Sequence, residues 1–317
     1  MATSQRENRL QRLIEGAKKE GELTYYQSRS DIGPVLDAFT KKYGITVKNW
    51  RSSGENVLQR VLTEARAGRF EVDVVETSAP QMEALHRENL LQQVKSPYHG
   101  DLMPQAIPAH KEWVGTTLDV YVQAYNTDKV RKEELPGTYQ DLLDPRWKGR
   151  LGIEAADEHW FATLVEALGQ EKGTKLFKDI VAANGISVRK GHSLLANLVA
   201  SGEIPLGLTV YNYSPEQLKR KGSPIESFII PPAIGQFVSI AALKKAPHPH
   251  AALLFYDFML NEGQEILAQR YYIVTTDKID NPLKKLPLKF IDPALSLDMN
   301  DKWIKAYEDI VTKRAKQ

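Results

Sequence analysis

Arg29 lies between Ser28 and Ser30, just past the run Glu22-Leu23-Thr24-Tyr25-Tyr26-Gln27. A guanidinium presents a planar fork of donors and the flanking hydroxyls extend it, so this triplet suits a carboxylate or a phosphonate. Most arginines simply face water; here ligand contact stands level with that reading, because the triplet follows a strand-like run, where ligands settle in α/β proteins. Ser53-Gly54 and Thr77-Ser78 hold the corresponding positions after the next two strand-like runs. Hydroxyl residues cap helices, and the same N-termini offer unpaired N–H groups to an anion, so capping and ligand contact are compatible.

A second set of candidates follows residue 150. Asp157 opens a helical stretch, and capping is its simplest reading; Trp160, one turn on, either packs or lines a binding cleft. Arg189-Lys190-Gly191-His192-Ser193 is a basic loop ending at a helix start, with Arg189 and Ser193 as anion contacts or as plain solvated groups. Tyr211 and Tyr213 alternate, so if both are extended they face opposite sides and only one reaches a ligand, the other packing. Tyr25 and Tyr26 read as strand residues with one buried, and Tyr271-Tyr272 as packing beneath a late helix. His248 and His250, two apart in a proline-broken turn, make a weak metal pair.

The elements that must position these groups alternate. Apolar spacing predicts helices over 10–19, 34–42, 55–67 and 81–87, and strands over 22–27, 46–50 and 72–75, with Gly44 and Gly68 as stops. Strand, polar loop and helix in turn predict a parallel sheet flanked by helices, and right-handed crossovers put the three exit loops on one edge. Residues 114–126 favour extended structure. A second α/β set follows, with strands over 151–154, 186–189 and 206–210 and helices over 159–168, 173–183 and 193–201. The run 237–243 then returns the chain to the first lobe before helices at 250–260 and 263–270. The expected fold is α/β with two lobes, each a sheet flanked by helices: residues 1–119, then 120–235, then 236–317 rejoining the first lobe. A cleft between the lobes is the default binding place.

Composition removes several classes of function. Without cysteine there is no disulfide framework, thiolate nucleophile or thiolate-held cluster. Lys+Arg at 42 against Asp+Glu at 40 leaves a formal charge of +2, and no basic stripe points to nucleic acid. No apolar run approaches the roughly 20 residues of a membrane span. Residues 1–8 lack an apolar core with a small-residue cleavage site, so the chain as written holds no signal peptide and is either cytoplasmic or stripped of its leader. No G-x-S-x-G elbow, Walker loop, G-x-G-x-x-G fingerprint or H-E-x-x-H occurs, and the seven histidines show no metal spacing.

Four stretches taken in order carry a resemblance: Glu22 to Tyr26, Val122-Gln123-Ala124-Tyr125-Asn126-Thr127-Asp128-Lys129, Gly202-Glu203-Ile204-Pro205-Leu206-Gly207, and Ala241 to Pro249, continued by Ala251-Ala252, Phe255, Asp257-Phe258 and Gly263-Gln264-Glu265. Over about residues 10–272 the chain resembles the periplasmic solute-binding proteins of ABC importers, and within them the ferric-iron, phosphonate and organic-anion branch. The resemblance implies two lobes joined by crossing strands, here 116–123 and 228–236, a ligand held without turnover, and a permease in the inner membrane as partner. It also implies a periplasmic monomer with no cofactor.

Ferric-binding relatives use two adjacent second-lobe tyrosines, often with a first-lobe histidine and an acidic residue. On that pattern Tyr213 falls on the first tyrosine and Ser214 on the second, which makes Tyr213 the candidate and Tyr211 the packing residue, while Ser28-Arg29-Ser30 stands where a histidine would be. Hard Fe(III) favours several anionic oxygens, so this set is a poor ferric site. The expected ligand is therefore a small anionic organic solute held by Ser28, Arg29, Ser30, Ser53, Gly54, Thr77, Ser78, Asp157, Arg189, Ser193 and Tyr213, with no metal. The alternatives are a ferric receptor that recruits Tyr25, Tyr211 or a carrier anion, and an enzyme on the same scaffold.

Overall fold

The computed structural model describes residues 2–313, with side chains from residue 6 onward. It divides into two compact units, one made of the chain up to Leu118 plus Phe237–Asp280, the other of Asp119–Gln236 plus the chain from Asn281. Residues 281–317 were expected in the first lobe. The described part of this segment, residues 281–313, belongs to the second instead, because Ile291, Trp303, Tyr307, Ile310 and Val311 are buried in its core.

The first part of the chain runs α1 (Ala2–Glu20), β1 (Glu22–Gln27), α2 (Gly33–Tyr43), β2 (Thr46–Arg51), α3 (Gly54–Arg66), β3 (Val74–Ser78), α4 (Ala79–Arg87) and β4 (Val114–Asn126). The second unit adds β5 (Leu151–Glu154), α5 (Glu158–Leu168), α6 (Gln170–Asn184), β6 (Ser187–Arg189), α7 (His192–Ser201), β7 (Leu206–Tyr211), α8 (Tyr213–Arg220) and β8 (Ile225–Phe228). β9 (Ile234–Ala242), α9 (Pro249–Met259), α10 (Glu262–Ala268) and β10 (Ile273–Val274) follow, and β11 (Lys289–Phe290), α11 (Pro293–Asp298) and α12 (Asn300–Tyr307) come last.

In the first unit β1 pairs in parallel with β2 on one side and β3 on the other, so Gln27, Arg51 and Ser78 all end at one edge. β9 then runs antiparallel to β3, from Val74 opposite Ala242 to Ser78 opposite Val238. Helix stops follow the local chemistry: α2 ends where Gly44 takes a left-handed φ of 73° and returns its N–H to the Thr40 carbonyl. Phe39, Tyr25 and Phe255 fill the core beneath, with ring centroids 4.9 Å apart for Tyr25–Phe255 and 5.0 Å for Phe39–Phe255. Edge-to-face pairs of this kind add about 0.5–1.5 kcal/mol each beyond the area they bury.

In the second unit β5 pairs in parallel with β6 and β7, and β4 runs antiparallel to β7 and β8. The second crossing strand is β9, beginning at Ile234; the expected run 228–236 is broken because Pro231 and Pro232 supply no N–H to a ladder. Trp160, offered above as a possible wall, is core: it is buried, with Tyr139 and Phe177 rings at 6.2 and 5.9 Å.

Candidate functional site

At the strand edge of the first unit the three loops do meet. Ser28 Oγ donates to Thr77 Oγ1 at 3.2 Å, the Ser52 N–H donates to the Gln27 carbonyl at 3.1 Å, and Arg51 Nε donates to the Arg29 carbonyl at 3.1 Å. Gly54 lies so close that a Cβ there would come within 2.7 Å of Thr77 Oγ1, so glycine is what lets the start of α3 approach β3. Ser53 caps α3 by accepting the Asn56 N–H at 3.2 Å, whereas Ser78 occupies the cap position of α4 without a side-chain cap bond. Ser30 and Ser53 are exposed, and Ser28, Gly54 and Ser78 are half-buried.

Arg29 departs from expectation. Its side chain is 3% exposed and turned inward, with Nη2 2.8 Å from Glu76 Oε1 and 3.0 Å from Thr117 Oγ1, and its guanidinium lies over the Tyr272 ring at 4.7 Å. Tyr25 hydroxyl and Thr116 Oγ1 also donate to the Glu76 carboxylate. Burial alone would push the Glu76 carboxyl up, but the Arg29 charge and these hydrogen bonds hold it below the usual carboxylate range. The anchor role assigned to Arg29 from sequence is thus corrected to an internal one: a guanidinium already paired with a buried carboxylate has its charge neutralised inside the unit. Both Tyr25 and Tyr26 are buried rather than one, the second through its hydroxyl on Glu64 at 3.0 Å.

The second unit gathers a different set at the ends of β5 and β7. Tyr211 closes β7, Asn212 turns into helical backbone with φ −48° and ψ −35°, and Tyr213 begins α8. Asn212 is fixed there by β4, its N–H on the Val120 carbonyl and its Oδ1 on the Val120 N–H, each at 3.0 Å. The alternation expected of an extended Tyr211-Asn212-Tyr213 therefore fails. The two rings lie nearly parallel, 6.0 Å apart at 26°, on the same side. Tyr121 from β4 comes within 5.1 Å of the Tyr211 ring, and Gln236 Nε2 donates to both hydroxyls, at 2.8 Å to Tyr211 and 3.2 Å to Tyr121. Tyr211 thus packs within this cluster, with its hydroxyl accepting from Gln236.

His192, at the start of α7, stacks on the Tyr211 ring at 4.1 Å and 25° and bonds Asp157 Oδ1 through Nε2 at 2.9 Å. Asp157 sits at the cap position of α5 yet makes no cap bond; capping gives way to the imidazole. Glu154, the last residue of β5, accepts the Gly191 N–H at 2.8 Å and the Ala156 N–H at 2.5 Å. Its backbone carbonyl accepts the Tyr307 hydroxyl at 2.5 Å. One donor atom from each of Glu154, Asp157 and His192 lies within 4.8 Å of the others.

Burial, then the nearby Asp157 charge, pushes the Glu154 carboxyl up; the same causes push the Tyr211 phenol well above its usual range. Burial lowers His192 basicity, but the Asp157 charge and hydrogen bond, with the Glu154 and Asp119 charges, together offset it, so the imidazole is held above its ordinary value. Arg189 and Ser193 stand aside: Arg189 is half-buried and faces Glu203 at 3.5 Å, and Ser193 is exposed. Glu154, His192, Tyr121 and Gln236 were not singled out from sequence; the one available signal was an acidic residue ending a buried strand, three before Asp157.

The sequence matches the family model for bacterial extracellular solute-binding proteins over residues 72–294. It is similar to an Fe(3+)-binding periplasmic protein of Serratia marcescens, 29% identical over 272 residues that cover 81% of this chain and 79% of that one. Among solved structures it is similar to iron-bound HitA from Pseudomonas aeruginosa, with a TM-score of 0.79, 24% identity and coverage of 91% of this chain and 99% of that one. It is also similar to the periplasmic binding protein AfuA from Actinobacillus pleuropneumoniae with fructose-6-phosphate bound, with a TM-score of 0.79, 22% identity and coverage of 92% and 99%. No helix among the described residues is long and apolar enough to cross a membrane.

Proposed function

The chain belongs to the bacterial extracellular solute-binding proteins, receptors that serve ABC importers, and from that premise we propose that the solute it captures is ferric iron, bound through tyrosines. The observation that carries this reading is the grouping of Tyr121, Tyr211 and Tyr213 in the second unit beside buried carboxylates. Phenol and carboxylate oxygens are hard donors, and hard donors select hard cations. Phenols pushed up by burial keep their protons in the absence of a cation, so uptake of Fe(III) releases protons as phenolates form. The Fe(3+)-binding relative at 29% identity supports the same cargo. Capture takes place in the periplasm, delivery is to a permease of the inner membrane, and the receptor carries out no reaction.

Adding ferric citrate to the purified protein should produce a visible tyrosinate-to-iron absorption band that Tyr213→Phe and Tyr211→Phe each weaken. A colourless wild-type sample under those conditions would remove the ferric reading.

A small anionic organic solute is the second reading. Two helix N-termini, of α3 and α4, start at one edge of the first unit with Ser28, Ser30, Ser53, Gly54, Thr77 and Ser78 around them, and Ser78 makes no cap bond. A thermal-shift screen of carboxylates and phosphonates tests it: a ligand at 100 times its dissociation constant adds about 2.7 kcal/mol.

A further inference from the structure

Glu154 and Asp157 are buried carboxylates whose cationic partner among the described residues is a single imidazole, His192. Asp157 is 2% exposed, yet its Oδ2 has no hydrogen-bond partner. A buried carboxylate oxygen left bare is costly, and folded proteins retain such a group where something else fills it. The donor atoms of Glu154, Asp157 and His192 lie within 4.8 Å of one another, the spacing of ligands that a modest closure brings around one ion. The group is also held in place: backbone N–H groups of Ala156 and Gly191 orient the Glu154 carboxylate, and Tyr307 holds the Glu154 carbonyl from behind.

We propose that Glu154, Asp157 and His192 form a metal-binding centre wholly inside the second unit, and that its cargo ion is held there without an accompanying anion. This deepens the ferric reading and rests on it for the identity of the ion. The charge balance gives the reason. Two carboxylates with the phenolates of the neighbouring Tyr211 and Tyr213 already outweigh the three positive charges of Fe(III), while His192 completes the set as a neutral ligand after losing its proton. An oxyanion brought from solution would then add negative charge beside two carboxylates and be repelled. A site built from one tyrosine, serine and arginine would need such an anion; this cluster does not.

The test is native mass spectrometry of the full chain loaded with ferric nitrilotriacetate in buffer free of carbonate and phosphate, followed by desalting. The expected result is one iron per chain with no added anion mass, and an affinity in Asp157→Asn lower by more than about 100-fold. The amide introduced by that substitution keeps an oxygen for His192, so a thermal melt of the iron-free variant at or above wild type shows that the fold is intact; His192→Gln serves as the second variant if it is not. Iron bound only with an anion, or bound by the folded variant as tightly as by the wild type, overturns the proposal. If the wild type takes up no iron at all, the ferric reading fails, and titration with Mn(II) and Zn(II) then decides the centre. Binding lost in Asp157→Asn keeps it, and no binding of either ion overturns it.

Discussion

Both units bury carboxylates where parallel strands end, and they neutralise them differently. In the first, Glu76 receives the Arg29 guanidinium at 2.8 Å together with hydroxyls from Thr116 and Tyr25, so the buried charge is matched by covalently fixed partners. In the second, Glu154 and Asp157 share one imidazole, and Asp157 keeps an oxygen bare. The same physical problem is solved internally in one place and left open in the other. A matched buried charge marks architecture, and an unmatched one marks a place for something that arrives from outside.

The sharpest way to break this contrast is to unmatch the first unit. Arg29→Met strands the Glu76 charge and should cost about 3–5 kcal/mol in a urea titration, while adding Glu76→Gln should recover much of that loss. A single-variant loss below about 1 kcal/mol would mean the pair is worth no more than an exposed one.

The pH dependence of the iron-free protein should separate the two regions by sign. Glu76 is held below its ordinary value of 4.5, so its contribution is present above that pH and is lost as pH falls through its folded value. His192 is held above 6.5, so its contribution is present below that pH and is lost as pH rises. Glu154, also raised, works in the same direction as His192 because the folded state keeps its proton longer than the unfolded chain. Melting temperatures across a pH series should therefore decline at both ends, with Glu76→Gln flattening the acid limb and His192→Gln the neutral one. An unchanged profile in either variant would dissociate that limb from its residue.

The smallest effect compares committed and uncommitted hydroxyls at one strand edge. Ser53→Ala removes the bond to the Asn56 N–H and should cost about 1 kcal/mol, whereas Ser78→Ala, with no cap bond to lose, should stay within about 0.5 kcal/mol. Chemical denaturation of the two variants side by side measures the difference.

What could be read from the sequence follows from range. The strand-loop-helix order and the shared edge of Ser28, Ser53 and Thr77 are written in local periodicity and in punctuation such as Gly44, and they were expected. The pairing of Arg29 with Glu76 spans 47 positions and leaves no local mark, so a buried arginine looked like an exposed one. Tyr211 and Tyr213 were set on opposite faces by strand alternation, which holds only while the backbone stays extended; the helical turn at Asn212 cancelled it. Asp157 had the residue type of a cap, and only the arrival of His192 from 35 positions away showed that its carboxylate was used elsewhere.

The late residues of the second unit also set a schedule. Trp303, Tyr307, Ile310 and Val311 complete a core that begins with Tyr121, and Tyr307 reaches back 153 positions to Glu154. The first unit likewise awaits α9, against which α1 packs, and β10, which pairs with β4. During synthesis neither half can close as its residues emerge, since each lacks a piece encoded after the other has been made. Contacts of such long sequence separation fold slowly. The first half therefore waits for residues 237–280 and the second for the core residues Trp303 to Val311, so neither core can mature while the middle of the chain is being made.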